Sequence, residues 1–318
     1  MPEPLISVII CTHNRAAYLG AAVDSLLAQA FEAFEVLVVD NASTDGTRQV
    51  VEQRLGDARL RYVYEPVLGL SVARNRGAAE AQAGLLAYLD DDAEASTGWL
   101  TALQKAFAAD PQVAIAGGKV TLLWPPNTHP PRWLSPALAG NLGAYDLGDL
   151  PQPITQPGLT PRGLNYAIRQ SFLQQVGGFD PQLGRVGKNL LSNEELHMTQ
   201  QALKRGLKVL YLPEALVAHQ VAPERLTPGW FLRRSWWQGI SEAHRESLDG
   251  TLTANKIRMR AVCLLRGLYK AVRYWSDLAQ RFDNLVYAYG QLSYVISSVR
   301  LLSTPPSGTA FPNQSSVS

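Results

Sequence analysis

Short apolar runs alternate with amphipathic segments over the first half of the chain. The runs are four to seven residues long and rich in Val, Ile and Leu, which is typical of buried strands. The intervening segments carry apolar residues at steps of three and four, as on one face of a helix. This alternation predicts an α/β fold with a parallel sheet and helices on both faces. The predicted strands are 5–11, 34–39, 61–64 and 85–89, and the predicted helices are 16–29, 44–55 and 71–82.

The middle of the chain has a different pattern. Residues 121–161 are rich in proline, contain Trp124, Trp133 and Tyr145, and show no clear period. A long irregular segment in a compact domain is usually functional or disordered. Because aromatic residues are interleaved with the prolines, we favour an ordered substrate loop. Regular structure is predicted to resume over 163–176, with a helix over 192–204 and a short strand over 209–212.

From about residue 228 the pattern is helical, with apolar residues at steps of three and four and most basic residues off that line. Two interpretations are open: a helix that packs on the core, or a basic amphipathic helix lying on an anionic bilayer surface. Segment 285–299 is nearly uncharged but shorter than the roughly 20 residues that span a bilayer, so no transmembrane helix is predicted. Residues 303–318 are rich in Ser, Pro and Thr, which predicts a disordered tail.

Composition and charge narrow the class of protein. The chain has 318 residues, 46% hydrophobic and 18% charged, as in an ordinary globular protein with a large core. Residues 225–318 carry 12 Lys and Arg against 5 Asp and Glu, which suggests an anionic partner for this part of the chain. We see no signal peptide and no cysteine framework, which favours a cytoplasmic protein. We predict a nucleotide-binding domain over 1–225 and a basic helical region over 226–302.

Three adjacent carboxylates, Asp90, Asp91 and Asp92, directly follow the apolar run 85–89. Burying them is costly unless they are paired or hold a cation. In open α/β sheets, ligands bind at the carboxyl ends of the strands, where such groups can be half in water. Oxygen ligands in this number suit Mg²⁺ or Mn²⁺ carrying substrate phosphates. The plainer alternative is a solvated acidic turn.

Three more polar segments occupy equivalent places along the chain. Thr12, Asn14 and Arg15 follow the first predicted strand, Asp40 ends the second, and Arg74 lies at a helix start after a glycine turn. Polar side chains and free N–H groups at such turns suit a nucleotide or phosphate. Each segment alone could be a helix cap or a turn. Four of them in order, each after an apolar run, predict a nucleotide site.

In combination these segments resemble a family 2 glycosyltransferase of the type that assembles bacterial polysaccharides. The resemblance covers roughly residues 5–220. It implies the GT-A fold, a doubly wound and mostly parallel sheet, here with a helical C-terminal extension. The matching segments are 7–15, 38–47, 73–77, 89–92, Asn165, 177–180 and 193–196.

The resemblance also implies roles for residues in the donor site. Thr12 and Asp40 would contact the base of the nucleotide sugar, within a donor site that includes Asn14 and Arg15. Arg74 would lie near the base or the phosphates. The ends of the Asp-x-Asp motif are Asp90, facing the ribose or the metal, and Asp92, binding Mg²⁺ or Mn²⁺ at the diphosphate. Asp91 would be the spacer between them in the donor site, and Asn165 would hydrogen-bond the donor sugar or the acceptor.

The catalytic base is expected at the second acidic cluster, Glu194-Glu195, at the start of a predicted helix. The family pattern there is Glu-Asp with the second residue as base, so Glu195 is favoured although it is one methylene longer. Glu194 remains an alternative, and it could simply favour the helix N-terminus. His219 is a candidate metal or phosphate contact, and a core or surface histidine is the alternative.

The expected function is metal-dependent, inverting transfer of one sugar from a nucleotide sugar, and the expected donor is a UDP-sugar. The acceptor would be a carbohydrate or a lipid-linked saccharide in polysaccharide or glycoconjugate synthesis at the inner membrane face, and no nucleic acid partner is expected. Family precedent alone supplies the inverting outcome. A sugar-nucleotide pyrophosphorylase would need a Gly-rich basic loop after the first strand, which is absent here. A non-catalytic nucleotide-sugar or glycan-binding protein is the other alternative.

Overall fold

A mixed sheet runs through the centre of the computed structural model, which describes residues 3–187 and 189–303. Within these residues nine strands form a single sheet. They are β1 Ile6–Thr12, β2 Phe34–Asp40, β3 Leu60–Tyr64, β4 Leu85–Leu89, β5 Ala93–Ala95, β6 Val113–Leu123, β7 Gln152–Pro153, β8 Asn165–Arg169 and β9 Lys208–Gln220.

Most of the helices flank this sheet and bury one apolar face against it. In the first helix, Leu19, Val23 and Leu26 are buried at helical spacing, as the pattern predicts. The helices are α1 Ala16–Leu27, α2 Thr47–Glu52, α3 Leu70–Glu80, α4 Trp99–Ala109, α5 Pro136–Ala139, α6 Gln170–Gln175, α7 Glu194–Lys204, α8 Pro228–Leu248, α9 Ala254–Arg273 and α10 Leu278–Ser303.

The strand order brings distant segments to one edge of the sheet. The order is β3-β2-β1-β4-β8-β6-β9-β5, with β7 paired to β9. β1 to β4 are parallel, β8 runs antiparallel to β4 and β6, and β6 is parallel to β9. The carboxyl ends of β1, β2, β4 and β9 therefore share an edge with the amino end of β8.

Strand β9 is much longer than the predicted strand 209–212. Its pairing with β6 shifts register between the pairs Gly118–Leu212 and Val120–Val217, so residues 213–216 form a bulge. Pro213 and Glu214 interrupt the apolar pattern there, and a bulge is where a sheet accommodates them.

The proline-rich segment 121–161 is ordered in large part and packs on the C-terminal helices. Trp133 lies edge-on to Phe231 of α8 at 5.2 Å and to Phe282 of α10 at 5.0 Å between ring centroids. Leu138 and Leu142 are buried in the same apolar cluster. This segment therefore links the sheet edge to the helices that follow it.

The predicted C-terminal helical region is three helices. Thr227 and Thr253 cap α8 and α9, each side chain accepting a hydrogen bond from a backbone N–H in the first turn. α8 and α10 pack so closely that a Cβ at Gly239 would lie 2.3 Å from the carbonyl oxygen of Gly290. Among the described residues, no helix combines the length and the hydropathy needed to cross a bilayer. Nearly all of the predicted disordered tail lies outside the described residues.

Candidate active site

Two short stretches of backbone place Asp92 beside His219. β5 pairs with the end of β9, and Ala93 is the direct partner of His219. The N–H of Gln220 also donates to the carbonyl oxygen of Asp92 at 2.8 Å. The aspartate and histidine side chains consequently meet at the carboxyl edge of the sheet, where the sequence predicts the residues that follow β4 to lie.

The Asp92 carboxylate is only 3% exposed and has three side-chain partners. His219 Nε2 lies 3.1 Å from Oδ1, and Arg225 lies 3.2 Å from Oδ2, which Arg15 also contacts. Burial alone would raise the pKa of Asp92. The hydrogen bond with His219 and the charges of Arg225 and Arg15 outweigh burial and hold the pKa well below its usual range.

His219 is oriented by the segment that precedes it in the fold. Its Nδ1 lies 2.6 Å from the carbonyl oxygen of Leu142, which can only accept, so Nδ1 must carry a proton. The other ring nitrogen, Nε2, faces Oδ1 of Asp92. A backbone carbonyl on one ring nitrogen is the usual second-shell arrangement of a metal-binding histidine.

The donor chemistry of Asp92 and His219 fits a divalent cation of the Mn²⁺ or Mg²⁺ type, but only with further oxygen ligands. Within residues 3–187 and 189–303, no three His, Cys, Asp or Glu side chains are grouped so as to hold a metal by themselves. Mg²⁺ sites commonly use one or two carboxylates and complete the shell with water and substrate phosphates. A site on these two side chains would thus depend on a phosphate-bearing substrate.

Asp90 and Asp91 have different surroundings. Asp91, expected as the spacer, is buried, and its carboxylate lies 3.5 Å from Arg15. Burial and the nearby charge of Asp92 raise the pKa of Asp91 to about 7, against the opposing charge of Arg15. Asp90 is half-buried, and burial and Asp92 raise its pKa too, while Arg74 acts in the other direction.

Asp40 and Thr12 are register partners at the ends of β2 and β1, and both are buried. The Asp40 carboxylate accepts from the Tyr62 hydroxyl at 2.7 Å and from the N–H of Ser43 at 2.9 Å. The predicted base contact therefore lies beside two existing hydrogen bonds.

Asn14 ties two turns of the predicted donor site together. Its backbone φ is 54°, and its side-chain oxygen accepts from the N–H of Thr44 at 2.7 Å. Its own N–H donates to Ser43 Oγ at 2.9 Å. Asn14 thus holds the β1–α1 turn against the β2–α2 turn.

Asn165 has no exposed surface to offer a substrate, which speaks against the predicted contact with the donor sugar or acceptor. The residue is fully buried. Its oxygen accepts from Trp99 Nε1 at 2.9 Å, and its nitrogen donates to the carbonyl oxygen of Ala215 at 2.7 Å. Asn165 fixes β8 to α4 and to the bulge of β9.

Arg74 forms ion pairs with both glutamates that are candidates for the catalytic base. The sequence places it at the donor, but its buried guanidinium is 3.1 Å from Glu194 Oε1 and 2.8 Å from Glu195 Oε1. The rings of Tyr88 and Phe179 flank it, with centroids 5.9 Å and 5.4 Å from Cζ. Arg74 therefore orients both carboxylates at the start of α7.

The two glutamates differ in exposure. The Glu194 side chain is 2% exposed and that of Glu195 is 16% exposed. Burial and the charge of Glu195 raise the pKa of Glu194 to about 7 against the charge of Arg74, and its Oε2 has no hydrogen-bond partner among the described residues. Glu195 packs directly on Gly163, where a Cβ would lie 1.8 Å from Oε1. Glu195 is the more accessible of the two to a substrate.

Sequence reasoning missed three arginines of the site, Arg162, Arg185 and Arg225. Arg225 reaches Asp92 from the turn after β9, and Arg162 and Arg185 act electrostatically on the glutamate pair. Burial and the charges of Arg185 and Arg162 lower the pKa of Arg234, beside them, to about 9. The three missed arginines do not follow a predicted strand, so the sequence pattern carried no signal for them.

Comparisons with known proteins agree with this architecture. Residues 7–147 match the family described as glycosyl transferase family 2, and residues 85–304 match glycosyl transferase family group 2. The chain is 27% identical over 248 residues to glucosyl-dolichyl phosphate glucuronosyltransferase of Haloferax volcanii. The alignment covers 74% of this chain and 76% of the relative.

Two solved structures share the fold. A mannosyltransferase from Pyrobaculum calidifontis, in complex with GDP-Man and Mn²⁺, aligns with a TM-score of 0.61 at 20% identity, over 95% of this chain and 88% of that one. TarS 1-349 of S. aureus, in complex with UDP, aligns with a TM-score of 0.52 at 19% identity, over 91% and 90%.

Proposed function

The chain belongs to glycosyl transferase family 2 and has the GT-A fold, which confirms both expectations, and we propose that it is a metal-dependent, inverting glycosyltransferase. The observation that carries the proposal is the shared sheet edge. It holds the Asp92–His219 pair, suited to a cation at a diphosphate, and Glu195, suited to a base. We further propose that residues 1–225 form the nucleotide-sugar domain and 226–302 a helical region.

In the donor half of the site, Asp92 and His219 would hold Mg²⁺ or Mn²⁺. When bound, the cation would neutralise the charge that grows on the departing diphosphate. The Pyrobaculum structure contains Mn²⁺ with its nucleotide sugar, which supports this choice of ion class. Arg15 and Arg225, on the other oxygen of Asp92, would donate charged hydrogen bonds to the phosphates.

In the acceptor half, Glu195 would take the proton of the attacking hydroxyl. The acceptor oxygen forms a bond to the anomeric carbon while the bond from that carbon to the diphosphate oxygen breaks, so a single displacement inverts the configuration. Arg74 holds the carboxylate at 2.8 Å and limits the directions in which it can point. A positioned base of this kind contributes roughly 10²–10⁴ in rate.

For the substrates, a UDP-sugar donor and a lipid-linked saccharide acceptor are our proposals. UDP is bound in the TarS structure, and the Haloferax relative is described as acting on glucosyl-dolichyl phosphate. The proposed setting is glycoconjugate synthesis at the cytoplasmic face of a membrane.

The test separates donor binding from transfer. Calorimetric titration of UDP with and without Mn²⁺ should show tighter binding with the metal in the native protein. Glu195→Gln should bind UDP as tightly as the native protein and lose transfer from a UDP-sugar panel. Glu52→Gln, an exposed carboxylate on α2, is the matched control and should change neither. UDP binding in the native protein without any transfer would favour a non-catalytic binding protein.

A further inference from the structure

Helix α9 presents an unusual outer face to solvent. It carries six Lys and Arg and no Asp or Glu. Large apolar side chains are exposed along it, including Tyr269 at 68%, Val272 at 72% and, just beyond its end, Trp275 at 71%. Contiguous exposed apolar surface on a soluble protein marks an interaction site. We call the following residues the α9 face: Val262, Leu265, Leu268, Tyr269, Val272 and Trp275.

Helical spacing makes these residues one stripe. Val262, Leu265, Tyr269 and Val272 follow steps of three and four, so their side chains project from one side of α9. This side points away from α10, because the buried residues of α9, Gly267 and Ala271, fall on the opposite face at 100° per residue, and Gly267 packs on Ala288 of α10. Of the two interpretations left open for this apolar line, packing on the core therefore holds only for part of it.

The basic side chains of α9 lie on two different faces of the helix. Lys256 and Arg260 turn inward and pair with Glu246 and Glu242 of α8. Arg258, Arg266 and Lys270 are exposed beside the α9 face, and among the described residues they make no ion pair. The outer side of the helix is thus both apolar and positively charged.

An apolar groove adjoins the α9 face. It has a volume of about 380 Å³ and runs between α8, α9 and α10. Leu268 of α9 and Leu285 of α10 line it and are also partly open to solvent, so the groove and the face form one continuous surface. The remaining lining residues are Leu232, Leu264, Phe282, Ala288, Tyr289 and Leu292.

We propose that the α9 face and this groove dock the protein onto an anionic phospholipid bilayer. The apolar side chains would enter the headgroup boundary, the cations would meet lipid phosphates, and the groove would receive a hydrocarbon chain. Tyr269 and Trp275 have the amphipathic rings that favour this interface. A second copy of the chain fits less well, because a two-fold contact would bring the same cations against each other.

One apolar cluster connects the groove to the active site. Phe231 and Phe282 connect the groove region to Trp133 in segment 121–161, and Leu142 of the same segment orients His219. Docking deepens the proposed function by bringing the site to a membrane-borne acceptor. That step rests on the proposed function, but bilayer binding itself needs no turnover.

The test is co-sedimentation of the full chain with phosphatidylcholine vesicles, with or without 30% phosphatidylglycerol. The native protein should bind the anionic vesicles and bind the neutral ones on the order of 100-fold more weakly, with high salt reducing anionic binding. Failure to sediment with either vesicle, or equal binding to both, would overturn the proposal.

Variants locate the contact. Leu265→Gln with Val272→Gln and Trp275→Gln should abolish vesicle binding, whereas Leu150→Gln, which replaces a leucine that is 76% exposed elsewhere, should leave it unchanged. Equal binding by both variants would overturn the assignment to α9. UDP binding should be native in each, so a fold defect is distinguishable from lost docking.

A separate variant tests the charges. Arg258→Gln with Arg266→Gln and Lys270→Gln should remove the preference for anionic vesicles. If light scattering shows a dimer that the apolar triple variant dissociates, the surface belongs to a second copy and the bilayer proposal fails. If UDP does not bind the native protein but vesicles do, the proposed function fails and docking stands.

Discussion

Removal of the Arg74 guanidinium should destabilise the fold more strongly as pH rises. Arg74→Met keeps the length and apolar contacts of the side chain but leaves Glu194 and Glu195 without their shared cation. Removing one partner of a buried ion pair costs about 3–5 kcal/mol. Because Glu195 is partly open to solvent, we expect the lower end of that range, about 3 kcal/mol at pH 7.

The direction with pH follows from Glu194. Its pKa in the folded protein is raised from 4.5 to about 7, so between these values the folded state binds more protons than the unfolded state. The free energy of unfolding therefore falls as pH rises through this window. Without Arg74 the pKa of Glu194 should rise further, so the window extends above pH 7. The destabilisation should be smaller at pH 5 than at pH 9.

Urea unfolding of both proteins at pH 5, 7 and 9, followed by tryptophan fluorescence, measures these free energies. Arg76→Met is the control, because Arg76 makes an exposed pair with Glu80 on the same helix and should change the free energy by less than about 1 kcal/mol. Adding Glu194→Gln to Arg74→Met should recover part of the loss. A loss below about 1 kcal/mol at pH 9, or a larger loss at pH 5, would refute the reasoning.

Three more substitutions probe the site. Asp92→Asn should remove the Mn²⁺ dependence of UDP binding, measured by calorimetry, because it removes the anionic ligand. Glu195→Gln should lower kcat by roughly 10²–10⁴ at unchanged donor affinity, measured by product formation. Gly163→Ala should lower kcat as well, because the added Cβ would lie 1.8 Å from Glu195 Oε1 and 2.4 Å from Arg74 Nη2 and would displace the carboxylate. The contrary outcomes are Mn²⁺-dependent UDP binding by Asp92→Asn and native turnover by either of the other two.

The first four strands and the carboxylates after them could be predicted from the sequence for the same reason. Parallel strands buried on both faces are continuous apolar runs, and polar residues that end such runs must lie at the sheet edge. Only a third of strand β9 was predicted, because Pro213 and Glu214 interrupt the apolar pattern of the strand. The pairing with β6 accommodates these two residues in a bulge, which the sequence pattern does not show.

The contacts that the site residues make with one another could not be predicted from the sequence. Arg74 meets Glu194 across 120 residues, a contact fixed by where α7 docks. Arg225 reaches Asp92 from a turn without any periodic pattern. The apolar line of α9 was seen, but which part of it faces solvent depends on the angle at which α10 packs. Tertiary contacts decide each of these points.

The bulge at residues 213–216 sets a rule for length changes in this protein. Side chains alternate between faces along a strand, so deleting or inserting one residue at the bulge would turn the distal half of β9 over. His219 would then point away from Asp92, and Ala218 or Gln220 would take its place. We expect changes of two residues to preserve the pair and changes of one to destroy it. Natural and engineered length variants at this point should therefore obey parity.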